Sequence, residues 1–161
     1  MAPVYTIQQA QDLTLQAAKH ISDTQPELWR LPELSICHHL ASALEEKFDG
    51  HNIDVELIKD DRRRPDIVIH QRGHNKNNLV IFQVKKNPTL AQIKEDLFKI
   101  SDTFFRKPYL YQYGIFLSVG PLPKDLPEFD NSRIRFVEVD GWAEITEEEF
   151  AQKHGKQSCN L

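Results

Sequence analysis

Two stretches decide the fold: Pro65-Asp66-Ile67-Val68-Ile69-His70 and Leu79-Val80-Ile81-Phe82-Gln83-Val84-Lys85-Lys86. Both are short and rich in β-branched residues. The segment between them, Arg72 to Asn78, is polar and contains one Gly and three Asn. That combination predicts two strands joined as a hairpin. Side chains alternate along a strand, so Gln83 and Lys85 share one face while Phe82 and Val84 take the other. The hairpin then carries Asp66, which opens the first strand behind Pro65, to a place beside that polar pair.

Helical periodicity dominates on the N-terminal side. Thr6 followed by Gln9 has the form of a capping box, and Ile7, Ala10, Leu13, Ala17 and Ile21 recur at helical spacing, which predicts a helix from Thr6 to Asp23. Pro26 and the Leu31-Pro32 step interrupt it. A second helix is expected from Pro32, with Ile36, Leu40, Leu44 and Phe48 on one face and Gly50 as its stop. Asp54 to Ile58 alternates as a strand. Beyond the hairpin, Asn87-Pro88 reads as a helix start. Leu90, Ile93, Leu97, Ile100 and Phe104 follow, until Pro108 forbids continuation. Gly114 to Val119 and Ile134 to Val139 read as strands, separated by a loop stiffened by Pro121, Pro123 and Pro127. Thr146 with Glu149 predicts a short last helix ending near Gly155. The expected fold is α/β: one domain over residues 1–155, a mixed sheet flanked by helices. It has an αβββαβ core, an extra N-terminal helix and a short C-terminal helix, with 156–161 as a loose tail.

The 161 residues are 40% hydrophobic, enough for one packed core. Two cysteines exclude a disulfide framework and a four-cysteine zinc site. No run approaches the ~18 apolar residues of a membrane span. The opening Met-Ala-Pro-Val-Tyr-Thr lacks the basic and apolar regions of a secretory signal, so a cytoplasmic protein without membrane contact is expected. The net charge of −4 conceals an asymmetry: Lys59 to Lys107 holds 12 Lys/Arg against 6 Asp/Glu, and the rest of the chain is net −10. A basic third can focus an anionic partner onto one face, although clustered solvated side chains give the same count.

The chemistry sits in the middle strands. Phosphodiester hydrolysis needs a hard oxygen ligand for Mg²⁺, a second acceptor at the same ion and a cation near the attacking water. Asp66, Gln83 and Lys85 supply these types, as the catalytic set. The backbone carbonyl of Val84 offers another metal ligand, and Glu33 on the second helix completes a metal set of Glu33, Asp66, Gln83 and Val84. Glu33 is also explained by the preference for acids in a first helical turn. Arg62, Arg63, Arg64 and Lys86 are candidate phosphate contacts, or ordinary charges at a turn and a strand end.

These residues resemble the PD-(D/E)xK nuclease-like superfamily. The resemblance rests on Pro65 to His70, on Leu79 to Lys86, and on the helix, three strands, helix, strand order from Pro32 to Val119. Pro32-Glu33-Leu34-Ser35-Ile36-Cys37-His38-His39-Leu40 also looks like that superfamily's leading helix. It implies a restriction-endonuclease-like fold and a Mg²⁺-dependent nuclease, with Mn²⁺ as a substitute ion, acting on nucleic acid, DNA ahead of RNA. A homodimer would suit cleavage of both strands of a duplex, and a larger assembly is the other option. One position departs from the pattern: Gln83 stands where the superfamily usually has Glu or Asp. An amide oxygen coordinates Mg²⁺ without charge, so metal affinity should weaken. A nuclease-fold module that binds nucleic acid or a protein partner without cutting is therefore the alternative.

Other motifs carry less. His38 and His39 are adjacent on a helix and point about 100° apart, so they do not share one ion easily. His70 is expected as a hydrogen-bonded sheet residue. Tyr109, Tyr111 and Tyr113 alternate, as a base-stacking face or as packing. No Gly-rich phosphate loop, Gly-x-Ser-x-Gly elbow or His-Glu-x-x-His pair occurs, which removes those hydrolase motifs.

Overall fold

Thr6 and Thr89 start two of the three α-helices among the described residues in the same way. A computed structural model describes residues 3–56, 64–73 and 76–139. Thr6 caps α1 (Ile7–Thr24): its hydroxyl accepts the Gln9 N–H, and the Gln9 side chain accepts the Thr6 N–H, satisfying two donors that a helix start leaves orphaned. Thr89 and Gln92 repeat this box at α3 (Leu90–Lys99), two residues beyond the expected Asn87-Pro88 start. A single 3₁₀ turn, Pro26–Arg30, links α1 to α2 (Glu33–Glu45) and buries Trp29. α2 ends five residues before Gly50. After α3 the helix widens into a π turn, Ile100–Phe104, in which Phe105 N–H reaches the Ile100 carbonyl at 2.9 Å. The widening keeps both Ile100 and Phe104 in the core.

Five strands form one mixed sheet in the order β1-β2-β3-β4-β5: β1 Asn52–Val55, β2 Ile67–His70, β3 Val80–Lys86, β4 Tyr113–Val119 and β5 Ile134–Val139. β1, β2 and β3 form an antiparallel meander, with Ile67 opposite Phe82. β4 and β5 run parallel to β3, which places Val84 opposite Leu117 and Val119 opposite Val139. The expected α/β architecture is observed, a mixed sheet with helices on both faces. β1 begins two residues earlier than the expected Asp54, and the expected helix at 146–155 lies outside the described residues.

The two faces of β2 and β3 bury different cores. Ile67, Ile69, Phe82 and Val84 pack with α1 and α2, including Ile21, Ile36, Leu40 and Leu44. Val68 and Ile81 pack with α3 and the π turn through Ile93, Leu97, Ile100 and Phe104. Strands covered on both sides read as near-continuous apolar runs, so the exceptions on them stand out. Gln83 is one, and it lies on the α3 face by parity with Ile81. Behind β3 the chain turns at Asn87, whose N–H binds the Val119 carbonyl at 2.9 Å. Gly120 takes φ +106° there, and any Cβ on it would collide with the Asn87 side chain, so the ends of β3 and β4 are held close.

Candidate active site

Asp66 is fixed from both sides before its carboxylate is considered. Its N–H donates to the Phe82 carbonyl at 3.1 Å, and its own carbonyl accepts the Glu56 N–H at 2.9 Å. The side chain then projects along β3, where Oδ2 accepts the Val84 N–H at 2.7 Å. A residue's N–H and C=O leave a strand on the same side, so the Val84 carbonyl also faces the Asp66 side of β3. Burial is the main force on this carboxyl and pushes its pKa up to about 6. The Val84 N–H and the Lys85 charge oppose the rise, and the negative charges of Asp96 and Glu33 assist it.

Gln83 and Lys85 leave β3 on the face that Asp66, the residue just before β2, also takes, as the alternation predicts. Gln83 is 3% exposed, and its Nε2 has no hydrogen-bond partner among the described residues. Lys85 is half-buried; its charge acts on Asp66 and on Asp96, and no carboxylate lies within ion-pair distance of it among the described residues. Glu33, the first residue of α2, accepts the Lys86 N–H at 3.3 Å through Oε1. That bond ties the start of α2 to the end of β3 and orients Glu33 beside the cluster.

Asp96 on α3 is the member that lies outside the sequence motifs. It is 2% exposed, and its Oδ2 has no hydrogen-bond partner among the described residues. Its one ion pair among the described residues is long, 3.8 Å from Oδ1 to Lys99 Nζ. Burial raises its pKa, and the charges of Lys85 and Lys99 resist that rise. A signal was present, because Asp96 lies between Ile93, Leu97 and Ile100 on the apolar stripe of α3, where an acid is out of place.

Lys86 points the other way. Its Nζ donates to the carbonyls of Arg30 and Leu31, at 3.2 and 3.1 Å, closing the turn before α2. Its ammonium is therefore committed to the fold, which does not favour the phosphate contact expected of Lys86. Arg64 is exposed, while Arg62 and Arg63 lie outside the described residues. Tyr109 and Tyr111 are buried against α3 and the π turn, and the Tyr113 hydroxyl donates to the Tyr5 carbonyl at 3.1 Å, so the three do not form a stacking face. His70 is the hydrogen-bonded sheet residue expected: its Nε2 is 2.7 Å from Asp54 Oδ2, and Asp54 also takes a two-pronged contact from Arg72 at 2.9 and 2.7 Å.

Among the described residues no three carboxylate, imidazole or thiol groups converge tightly enough to hold a metal ion alone. Mg²⁺ does not require such a cage: it keeps several waters and is bound through one or two carboxylates. Asp66, the amide of Gln83, the Val84 carbonyl and the unpartnered oxygen of Asp96 fit that demand, and an all-protein zinc site they do not. A groove between α1 and α2, lined by His20, Thr24, His39 and Glu46, lies across the sheet from this chemistry.

No protein-family model, curated protein or solved structure matches this chain. The function therefore rests on the site itself.

Proposed function

We propose that the chain is a Mg²⁺-dependent nuclease of the PD-(D/E)xK type, hydrolysing phosphodiester bonds in nucleic acid, with DNA ahead of RNA and a cytoplasmic setting. The observation that carries this reading is the convergence of Asp66, Gln83 and Lys85 on one face of two paired strands, with the Asp66 carboxylate held by the Val84 N–H at 2.7 Å. A bound Mg²⁺ would supply Lewis-acid activation at the scissile phosphate. Asp66, the Gln83 amide and the Val84 carbonyl are the groups to hold it, with Glu33 adding negative charge from α2. Among the described residues no carboxylate lies close enough to Lys85 to neutralise it, so its ammonium is available to orient the attacking water and to balance charge as water adds and the P–O bond breaks. Buried walls on both sides lower the local dielectric and strengthen each of these interactions.

Gln83 favours a second reading, a nuclease-fold module that binds nucleic acid or a protein partner without cutting, because the amide brings no charge. One experiment separates the two. Labelled single- and double-stranded DNA and RNA are incubated with purified protein in Mg²⁺, Mn²⁺ or EDTA, with Lys85→Ala and Gln83→Glu alongside. The enzyme reading expects metal-dependent cleavage that falls by at least about 100-fold in Lys85→Ala. Cleavage surviving in that variant refutes the role given to Lys85. Silence from both wild type and Gln83→Glu supports the binding module.

A further inference from the structure

Two buried polar groups at this site have unmet hydrogen-bonding capacity: the Gln83 Nε2 donor and the Asp96 Oδ2 acceptor, both without partners among the described residues. Each belongs to a side chain at most 3% exposed. Burying a carboxylate without a hydrogen bond is costly, and a natural fold removes such groups unless they have a use. A purely structural role predicts that the two would bond to each other, donor to acceptor. They do not. The Lys85 charge acts on both Asp66 and Asp96, and Glu33 acts on both as well, so the two carboxyls share one electrostatic neighbourhood although they come from different elements.

We infer that Asp96, entering from α3, supplies the second negative charge of the Asp66–Lys85 site, the charge that Gln83 on β3 does not carry. The inference rests on the metal-site reading above and deepens it. The neutral amide on β3 is then a relocation of charge from strand to helix, and it does not mark a dead site. Acting directly or through a water, Asp96 balances a divalent cation and opposes Lys85. Lys99, at 3.8 Å, is the other cation that acts on it among the described residues.

Mn²⁺ binding, followed by the electron paramagnetic resonance signal of the free ion, tests this without reference to cleavage. Wild type, Asp66→Asn, Asp96→Asn and the double variant Asp96→Asn with Gln83→Glu are compared, with thermal melts in EDTA to confirm folding. Asp96→Ser serves in place of the amide variant if that one fails to fold. The expected result is binding by wild type, none by Asp66→Asn, at least about a tenfold loss in Asp96→Asn, and recovery to within about threefold of wild type in the double variant. Wild-type affinity in Asp96→Asn, with binding lost in Asp66→Asn, overturns the role of Asp96 and leaves the Asp66 site standing. A tenfold loss that Gln83→Glu does not repair overturns the relocation of charge. No Mn²⁺ binding by wild type overturns both this inference and the reading beneath it.

Discussion

Replacing Asp66 by Asn should make the metal-free protein more stable at neutral pH. The structure sets the size of the effect. Burial, helped by the charges of Asp96 and Glu33, holds the Asp66 pKa at about 6 against an ordinary 3.8. An acid whose pKa is higher folded than unfolded binds its proton more tightly in the folded state. Stability therefore falls as pH rises from about 4 to about 6, and the full penalty persists above that. A difference of about two units corresponds to about 3 kcal/mol, and partial solvent contact reduces this to ~2 kcal/mol. Asn keeps an oxygen to accept the Val84 N–H, so the 2.7 Å bond has a replacement and only the charge is lost. For a domain of this size the melting temperature should rise by about 4–8 °C at pH 8 in EDTA. Calorimetry across pH is the assay, because the gain must shrink toward zero as pH falls to 4 and below. An Asp66→Asn protein that melts at or below wild type at pH 8, or whose gain does not depend on pH, would refute the claim that a buried carboxylate is held there against its preference.

Two further outcomes follow from neighbouring contacts. Asp54 has its pKa drawn down to about 2, first by the Arg72 hydrogen bond, with His70 adding to it. It therefore stabilises the fold above pH 4 and loses that contribution as pH falls toward 2. Asp54→Asn should cost about 1 kcal/mol at pH 7, with the melting-temperature gap to wild type narrowing between pH 4 and pH 2. Lys86→Ala removes the donor shared by the Arg30 and Leu31 carbonyls and should cost about 1–2 kcal/mol in urea melts, while cleavage per folded molecule stays at the wild-type rate. Lost cleavage with unchanged stability would reverse the assignments of Lys85 and Lys86.

Much of this protein is written locally. The threonine–glutamine pairs start α1 and α3 because a capping box is complete within four residues, and no tertiary contact is needed to recognise it. The period of two along β3 placed Gln83 and Lys85 together, and the polar loop before it brought Asp66 to their face. Those inferences need only the pleat of a strand and a short hairpin. The pairing of His70 with a neighbour in the sheet was likewise foreseeable, though not that Asp54 would be the partner and would hold Arg72 as well.

What remained was decided by packing between distant segments. Lys85 and Lys86 are adjacent and chemically identical, yet one faces the Asp66 cluster and the other reaches the turn before α2. Alternation separates their faces, but only the position of α2 says what each face meets. Asp96 shows the same limit. The sequence reveals an acid on an apolar stripe, while the parallel return of β4 beside β3 lays α3 over the Gln83 face of the sheet and so brings that acid to the site. The parallel placement of β5 is equally absent from local pattern, since the proline-rich connection before it carries Leu122, Leu126 and Phe129 back across the same core. Periodicity specifies which side chains point together. Which of two buried faces they meet depends on the cheapest way to cover both at once, and that is a property of the whole chain.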